Sequence, residues 1–325
     1  MSLHKPALVA ERPLATTVFQ EADDFTVPGD AVYLAARSGE ERSKHAIALQ
    51  QRSPGARFLE VTEQTRSSFR LEDPDLEVGL RSPLALNALW RDVIAGRKCY
   101  VDITGLTHSV WAAVILSGLE AGAEVEGVYV EPLTYLENEI ADPSRDLFNL
   151  TIGFEGLAPL PGLVSFSDPG EEDFWFVPLL GFEGRRFTFM RDHIAPASGH
   201  TVPVIGVPGF QPEFVGFAYH GNQEPLLEDD CWQYAAYATA NCPFGLFYLL
   251  SDLLADGPGR FLKVATIGTK PHSLGAVLFA FAHPDAVEIL YDHPLRKPQR
   301  TSGHARLLVY HLSAFAGALT APPTI

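Results

Sequence analysis

The sequence predicts an α/β fold built from two tandem modules with mostly parallel sheets, related by internal duplication. Short apolar runs of strand length alternate with helix-length segments. The second half repeats the order of the first. Two stretches about half a chain apart also read alike. The Pro- and Gly-rich text of Asp142–Glu172 marks the connection. It divides residues 1–165, the first module plus connector, from residues 166–325, the second module with a helical insertion near 230–255.

In the first module Ala31–Ala36, Arg57–Val61, Cys99–Ile103 and Glu126–Val130 are short runs rich in Val, Ile, Leu or Tyr, each ending in polar or turn residues. They read as buried strands. Glu41–Gln51 carries Ala and Leu at helical spacing. Ser109–Ala121 is apolar nearly all round, as in a helix held between layers. In the second module Phe174–Leu180, Val202–Val207, Phe261–Ile267, Val287–Tyr291 and Arg306–His311 read as strands. Glu183–His193 and Ser273–Ala282 read as helices, and Asp230–Ala255 as a mostly helical stretch broken at Cys242-Pro243. Alternation of this kind implies Rossmann-like sheets with right-handed crossovers.

Composition narrows the function classes. The 325 residues are 46% hydrophobic and 20% charged, a globular balance. The formal charge of −16 argues against direct binding of duplex nucleic acid or of a membrane surface. No apolar run approaches the ~20 residues of a spanning helix, and Met1–Gln20 lacks the apolar core of a secretory signal. A cytoplasmic protein is expected. Cys99, Cys231 and Cys242 have no paired spacing, and the histidines form no His-x-x-x-His or His-Glu-x-x-His pair. No metal site is expected.

The repeat carries the chemistry. Residues 99–132 read CYVDITGLTHSVWAAVILSGLEAGAEVEGVYVEP, and residues 262–294 read LKVATIGTKPHSLGAVLFAFAHPDAVEILYDHP. Both run strand, Gly-containing turn, Thr, His-Ser, small-residue helix, strand, acidic residue, Pro. Residues 32–43 (VYLAARSGEERS) and 176–186 (FVPLLGFEGRR) each place Glu-x-Arg just past the first strand. Ligands bind beyond the carboxyl ends of parallel strands, where both turns lie. Gly105 and Gly268 permit close backbone approach; Thr107, Ser109, Thr269 and Ser273 supply hydroxyls; His108, Lys270 and His272 supply polar or cationic heads. Each following helix begins here, and its N–H groups favour an anion. Between Arg260 and Arg306 stand seven basic and three acidic residues, and Arg296, Lys297 and Arg300 follow a strand end. These features read as a phosphate or nucleotide cradle. The same residues also fit helix caps, a tight turn and a solvated basic loop. Neither turn is a P-loop or a dinucleotide fingerprint.

The run Asp102-Ile103-Thr104-Gly105-Leu106-Thr107-His108 resembles the Asp-x-Thr-Gly-Gly-Thr-Lys turn of CARF domains, the CRISPR-associated Rossmann-fold sensors. Leu106 stands where the family has its second glycine and His108 where it has lysine. The second half keeps Gly268-Thr269-Lys270 without the preceding Asp-x-Thr. The resemblance covers about 35 residues of each half. CARF domains bind cyclic oligoadenylates or related nucleotides across a two-fold interface, and some cleave them. The resemblance implies that Thr104, Gly105, Thr107 and His108 line a ligand site, and that two modules face each other as a pseudo-dimer. Glu41, Arg42, Glu183 and Arg185 would then stand near the sheet tops, either gripping phosphate or marking helix starts. Three functions follow for test: a nucleotide sensor of a prokaryotic defence system acting through a separate effector protein; an enzyme on a nucleotide or cyclic phosphodiester using Lys270, His272 or His108; and a structural or interaction subunit. The sequence names no cofactor.

Overall fold

The computed structural model describes residues 15–136, 148, 150–165, 167, 169–170, 172–257, 260–297 and 300–320. The strands in chain order are β1 (Thr16–Phe19), β2 (Val32–Ala36), β3 (Arg57–Gln64), β4 (Ser68–Leu71), β5 (Leu76–Gly79), β6 (Cys99–Asp102), β7 (Val125–Tyr135), β8 (Thr151–Phe154), β9 (Trp175–Leu179), β10 (Val204–Gly206), β11 (Ala236–Ala238), β12 (Leu262–Thr266), β13 (Val287–Leu290), β14 (Pro294–Arg296) and β15 (Thr301–Tyr310). The helices are α1 (His45–Arg52), α2 (Pro83–Ala88), α3 (His108–Glu120), α4 (Gly184–Ile194), α5 (Glu213–Gly221), α6 (Gln223–Glu228), α7 (Pro243–Asp256), α8 (Lys270–Ala282) and α9 (Leu312–Thr320).

Two larger sheets organise the described residues. The first has the order β1-β15-β7-β6-β2-β3-β4-β5, and the second β11-β10-β9-β12-β13. The central strands β3, β2, β6 and β7 of the first are parallel, as is the whole second sheet. Strands β2 and β6, at the centre of the first sheet, are buried along their full length, which explains their largely apolar text. Both sheets share one core order: β3-β2-β6-β7 matches β10-β9-β12-β13, strand for strand. The flanks of the first sheet are antiparallel, through β1, β15, β4 and β5, which the mostly parallel expectation did not include.

Helices α3 and α8 lie between the sheets. One continuous apolar cluster runs from Leu34 and Val101 through Trp111 and Val114 of α3, then Ala276 and Phe279 of α8, to Val177 and Val264. That position accounts for two helices apolar on all sides. Three expectations change. The strand read at Arg306–His311 is longer and belongs to the first sheet, between β1 and β7, so the division at 165/166 does not follow the sheets. Asp230–Ala255 is helical only in its second half; a short 3₁₀ turn (Cys231–Tyr234) and the edge strand β11 precede α7. Helix α7 starts where the text breaks, with Pro243 in its first turn and Cys242 Sγ accepting from the Gly245 amide. Within the connector, β8 pairs with β14; residues 142–147, 149, 166, 168 and 171 lie outside the described residues.

Candidate functional site

The two Gly-Thr bends meet across the space between the sheets. The turn after β6 is built by Asp102, whose Oδ1 accepts from the Thr104 amide at 2.8 Å. Its Oδ2 accepts from Tyr33 Oη at 3.0 Å and from His45 Nε2 at 2.8 Å. Thr104 Oγ1 accepts from the Val130 amide at 2.9 Å, tying the turn to β7. Gly105 is required: a Cβ there would stand 1.8 Å from the Ala36 carbonyl oxygen. Gln64, at the end of β3, accepts from the Thr107 amide at 2.6 Å.

The second bend is locked onto the first. Lys270 Nζ donates to the carbonyl oxygens of Ile103 at 2.6 Å, Thr104 at 2.8 Å and Leu106 at 2.7 Å. Three acceptors use all three donors of an ammonium. Burial, then the like charges of Arg296, Arg42 and Arg300, press Lys270 well below an ordinary lysine, while the three carbonyls hold its charged form. Ser273 Oγ donates to the Thr269 carbonyl at 3.1 Å and therefore accepts from His108 Nε2 at 3.1 Å. His108 Nδ1 is then the acceptor for Tyr291 Oη at 3.1 Å, and the two rings stack at 4.6 Å. Burial, followed by Arg296 and Lys270, pushes His108 well below the usual histidine value, so it is neutral. Arg296 Nη2 closes the chain on Tyr291 Oη at 3.4 Å.

A cavity of about 420 Å³ lies against these groups. It sits over the carboxyl ends of β2, β3 and β6, and the segment after β13 covers it from the side of the second sheet. Thr104, Gly105, Thr107 and His108 line it, as do Lys270, Arg296, Lys297 and Arg300; among the described residues Glu40 is its one carboxylate. Glu40 accepts from Arg300 Nε at 2.6 Å and from the Thr301 hydroxyl. Burial would raise the Glu40 carboxyl, but Arg300, Arg42 and these hydrogen bonds outweigh it and hold it below its ordinary value. Arg300 is pushed down to about 10, by burial first and then by Arg296. A smaller cavity of about 80 Å³ occupies the corresponding position over β9, β10 and β12, lined by Phe182, Phe210, Phe214, Gly268 and Thr269. Arg296 and Arg300 line both.

The remaining sequence-selected residues have other tasks. His272 is fully buried and lines neither cavity; Nε2 donates to the Thr239 carbonyl at 3.1 Å, and burial pushes it down to about 4. Ser109 and Ser273 are buried too. Arg42 is buried beneath the site, donating to the Val130 carbonyl at 2.7 Å over the Tyr129 ring. Glu41 accepts from the Gly303 amide at 3.0 Å. Glu183 accepts from the amides of Leu150 and Thr151, both at 2.9 Å, and from the Thr151 hydroxyl. Arg185 donates to the Thr151 carbonyl and to Glu183. Glu41, Arg42, Glu183 and Arg185 are thus held by the protein itself, and Glu183 alone reaches a cavity, the smaller one. The residues sequence reasoning missed are Glu40, Gln64 and Tyr291. Gln64 ends β3 and Tyr291 directly follows β13, while Glu40 opens the Glu-x-Arg text Glu40-Glu41-Arg42 past β2.

Among the described residues no cluster of three or more His, Cys, Asp or Glu side chains is placed to hold a metal ion, and no helix is long and apolar enough to cross a membrane. Comparison with protein-family models and with curated proteins finds no match to this chain.

Proposed function

We propose that the chain is a sensor or regulatory protein that binds a nucleotide-like phosphorylated small molecule in the larger cavity. The observation that carries this reading is the convergence there of Lys270, Arg296, Lys297 and Arg300 against, among the described residues, the single carboxylate of Glu40, in a chain of net charge −16. Concentrating cations in a recess of an acidic protein costs electrostatic energy that a bound anion offsets. The glycine turn beside them gives the anion backbone to approach. The shared strand order of the two sheets supports an origin by duplication of a Rossmann-like module. The CARF resemblance of the first turn supports a place in prokaryotic defence, with the response delegated to a separate effector protein.

The hydrogen-bonded chain Tyr291–His108–Ser273 is the one observation that favours an enzyme instead, because it could carry a proton out of the cavity. Against this, Lys270 has every donor engaged and His272 reaches no cavity, so two of the three candidate catalysts are occupied elsewhere. The test is to denature the purified protein and identify released small molecules by mass spectrometry, alongside thermal shifts with mono-, di- and cyclic nucleotides. A phosphorylated compound at near one equivalent, or a ligand that raises the melting temperature and loses its effect in Arg296→Met, is expected. No shift with any phosphorylated compound, and none released, refutes the reading. Turnover of the bound compound replaces the sensor with the enzyme.

A further inference from the structure

The likeness of the two bends does not extend to the space above them. The position over the first sheet holds about 420 Å³ and the matching one over the second about 80 Å³, closed in by phenylalanine rings. The first lies within the range of about 300–1,000 Å³ usual for a site that encloses one small ligand; the second is far below it. The bends differ in the same sense. The first offers Thr104, Gly105, Thr107 and His108 to the larger cavity. The second spends its groups on the protein: Thr269 Oγ1 donates to the Ala240 carbonyl at 2.8 Å, Lys270 is tied to three carbonyls of the first bend, and Ser273 accepts from His108. A ligand with two equal halves has one place to put a half.

Charge restricts the ligand further. Glu40 is committed to Arg300 and Thr301, with Arg42 Nε 3.8 Å away. Among the described residues neither Arg296 nor Lys297 is paired with a carboxylate, and both line the larger cavity. Two uncompensated cations facing one recess match a dianion better than a monoanion. A phosphate monoester carries about −1.5 to −2 charges near neutral pH and three strong acceptor oxygens, whereas a phosphodiester carries one charge on two.

We infer that the larger cavity takes a phosphate monoester of mononucleotide size, one per chain and without two-fold symmetry, its terminal phosphate on Arg296 and Lys297. This rests on the reading that the cavity holds a phosphorylated ligand, and it excludes the cyclic diesters that the turn's resemblance implies.

The test is isothermal titration of the intact chain with the four ribonucleoside monophosphates, a pentose phosphate and inorganic phosphate. The matching cyclic monophosphates, cyclic di-AMP and a cyclic tetra-adenylate serve as diesters. The expected result is one monoester per chain, bound at least about tenfold tighter than its cyclic counterpart, which differs only in the second ester bond. That preference shrinks between about pH 7.5 and about pH 5.5, as the monoester gains its second proton near pH 6. Lys297→Met and Arg296→Met each weaken the monoester by about tenfold and move the cyclic form less. A cyclic compound that binds as tightly as its monoester, or one ligand per two chains, overturns this inference and leaves the proposed function standing. Binding of no compound in the series overturns both.

Discussion

Replacing Lys270 by Met keeps most of the aliphatic stem and removes the ammonium that holds the bends together. Three carbonyl oxygens, of Ile103, Thr104 and Leu106, lose their donor at 2.6–2.8 Å. A buried polar group stripped of its partner costs ~1–3 kcal/mol, so three set an outer range of ~3–9 kcal/mol. Two effects reduce it. The adjoining 420 Å³ cavity gives water access to part of the turn, and loss of the charge relieves repulsion from Arg296, Arg42 and Arg300. The expected net loss is ~2–4 kcal/mol, or a fall in Tm of roughly 3–6 °C for a chain of this size. Urea unfolding followed by tryptophan fluorescence measures the first and calorimetry the second. Amide exchange should accelerate over residues 103–107 while β4 and β5 keep their protection. Lys270→Arg should not restore stability, because a planar guanidinium cannot point its donors at three converging oxygens as an ammonium does. A Met variant within ~1 kcal/mol of the parent would refute the argument, since the three bonds would then be replaceable by water.

Histidine burial sets an acid limit: His272, pushed down to about 4, stays neutral in the folded chain while the unfolded chain takes its proton below about pH 6.5. Its contribution is complete above that pH and is lost as pH falls, about 3 kcal/mol by pH 4, and urea midpoints against pH should show a shallower decline in His272→Asn. Glu40 acts lower: its carboxyl is held below the ordinary value by Arg300 and Arg42 against the cost of burial, so its stabilisation is present above about pH 4.3 and lost as pH falls through the folded value. Glu40→Gln should cost about 2–4 kcal/mol at pH 7 by leaving Arg300 unpaired, and flatten the acid limb of the same curve. Gly105→Ala forces a Cβ onto the Ala36 backbone and should abolish the native fold or cost at least about 3 kcal/mol, whereas Gly216→Ala, inside α5 with nothing within 4 Å, should stabilise by about 0.5–1 kcal/mol, both read by urea unfolding.

The central parallel strands were legible because both their faces are covered, leaving an apolar run in the sequence: VYLAA in β2, WFVPL in β9. Strands β4 (SFRL) and β5 (LEVG) mix polar residues into four-residue segments and give no such run. Trp232, Tyr234 and Tyr237 fall in the stretch read as mostly helical, yet all three are more than half exposed along a 3₁₀ turn and an edge strand. Strand β15 was recognised but given to the wrong sheet. Local text fixes that a strand forms; its partners, β7 and β1, are chosen by long-range packing that no window of residues contains.

The site divides along the same line. The rule that ligands gather beyond parallel strand ends located Thr104–His108, Lys270, Arg296, Lys297 and Arg300, and these do line one cavity. What the rule cannot give is the allegiance of each side chain. Lys270 and Lys297 are equivalent as text, both lysines past a strand end in a basic stretch. One has three carbonyls of the other bend within reach, contributed by residues 164 to 167 positions away, and becomes a tether. The other has no carboxylate partner among the described residues and faces the recess. The difference lies in what the opposite part of the chain presents to each ammonium, so similar bends carry unequal roles: one lines the cavity, and the other holds the first in place.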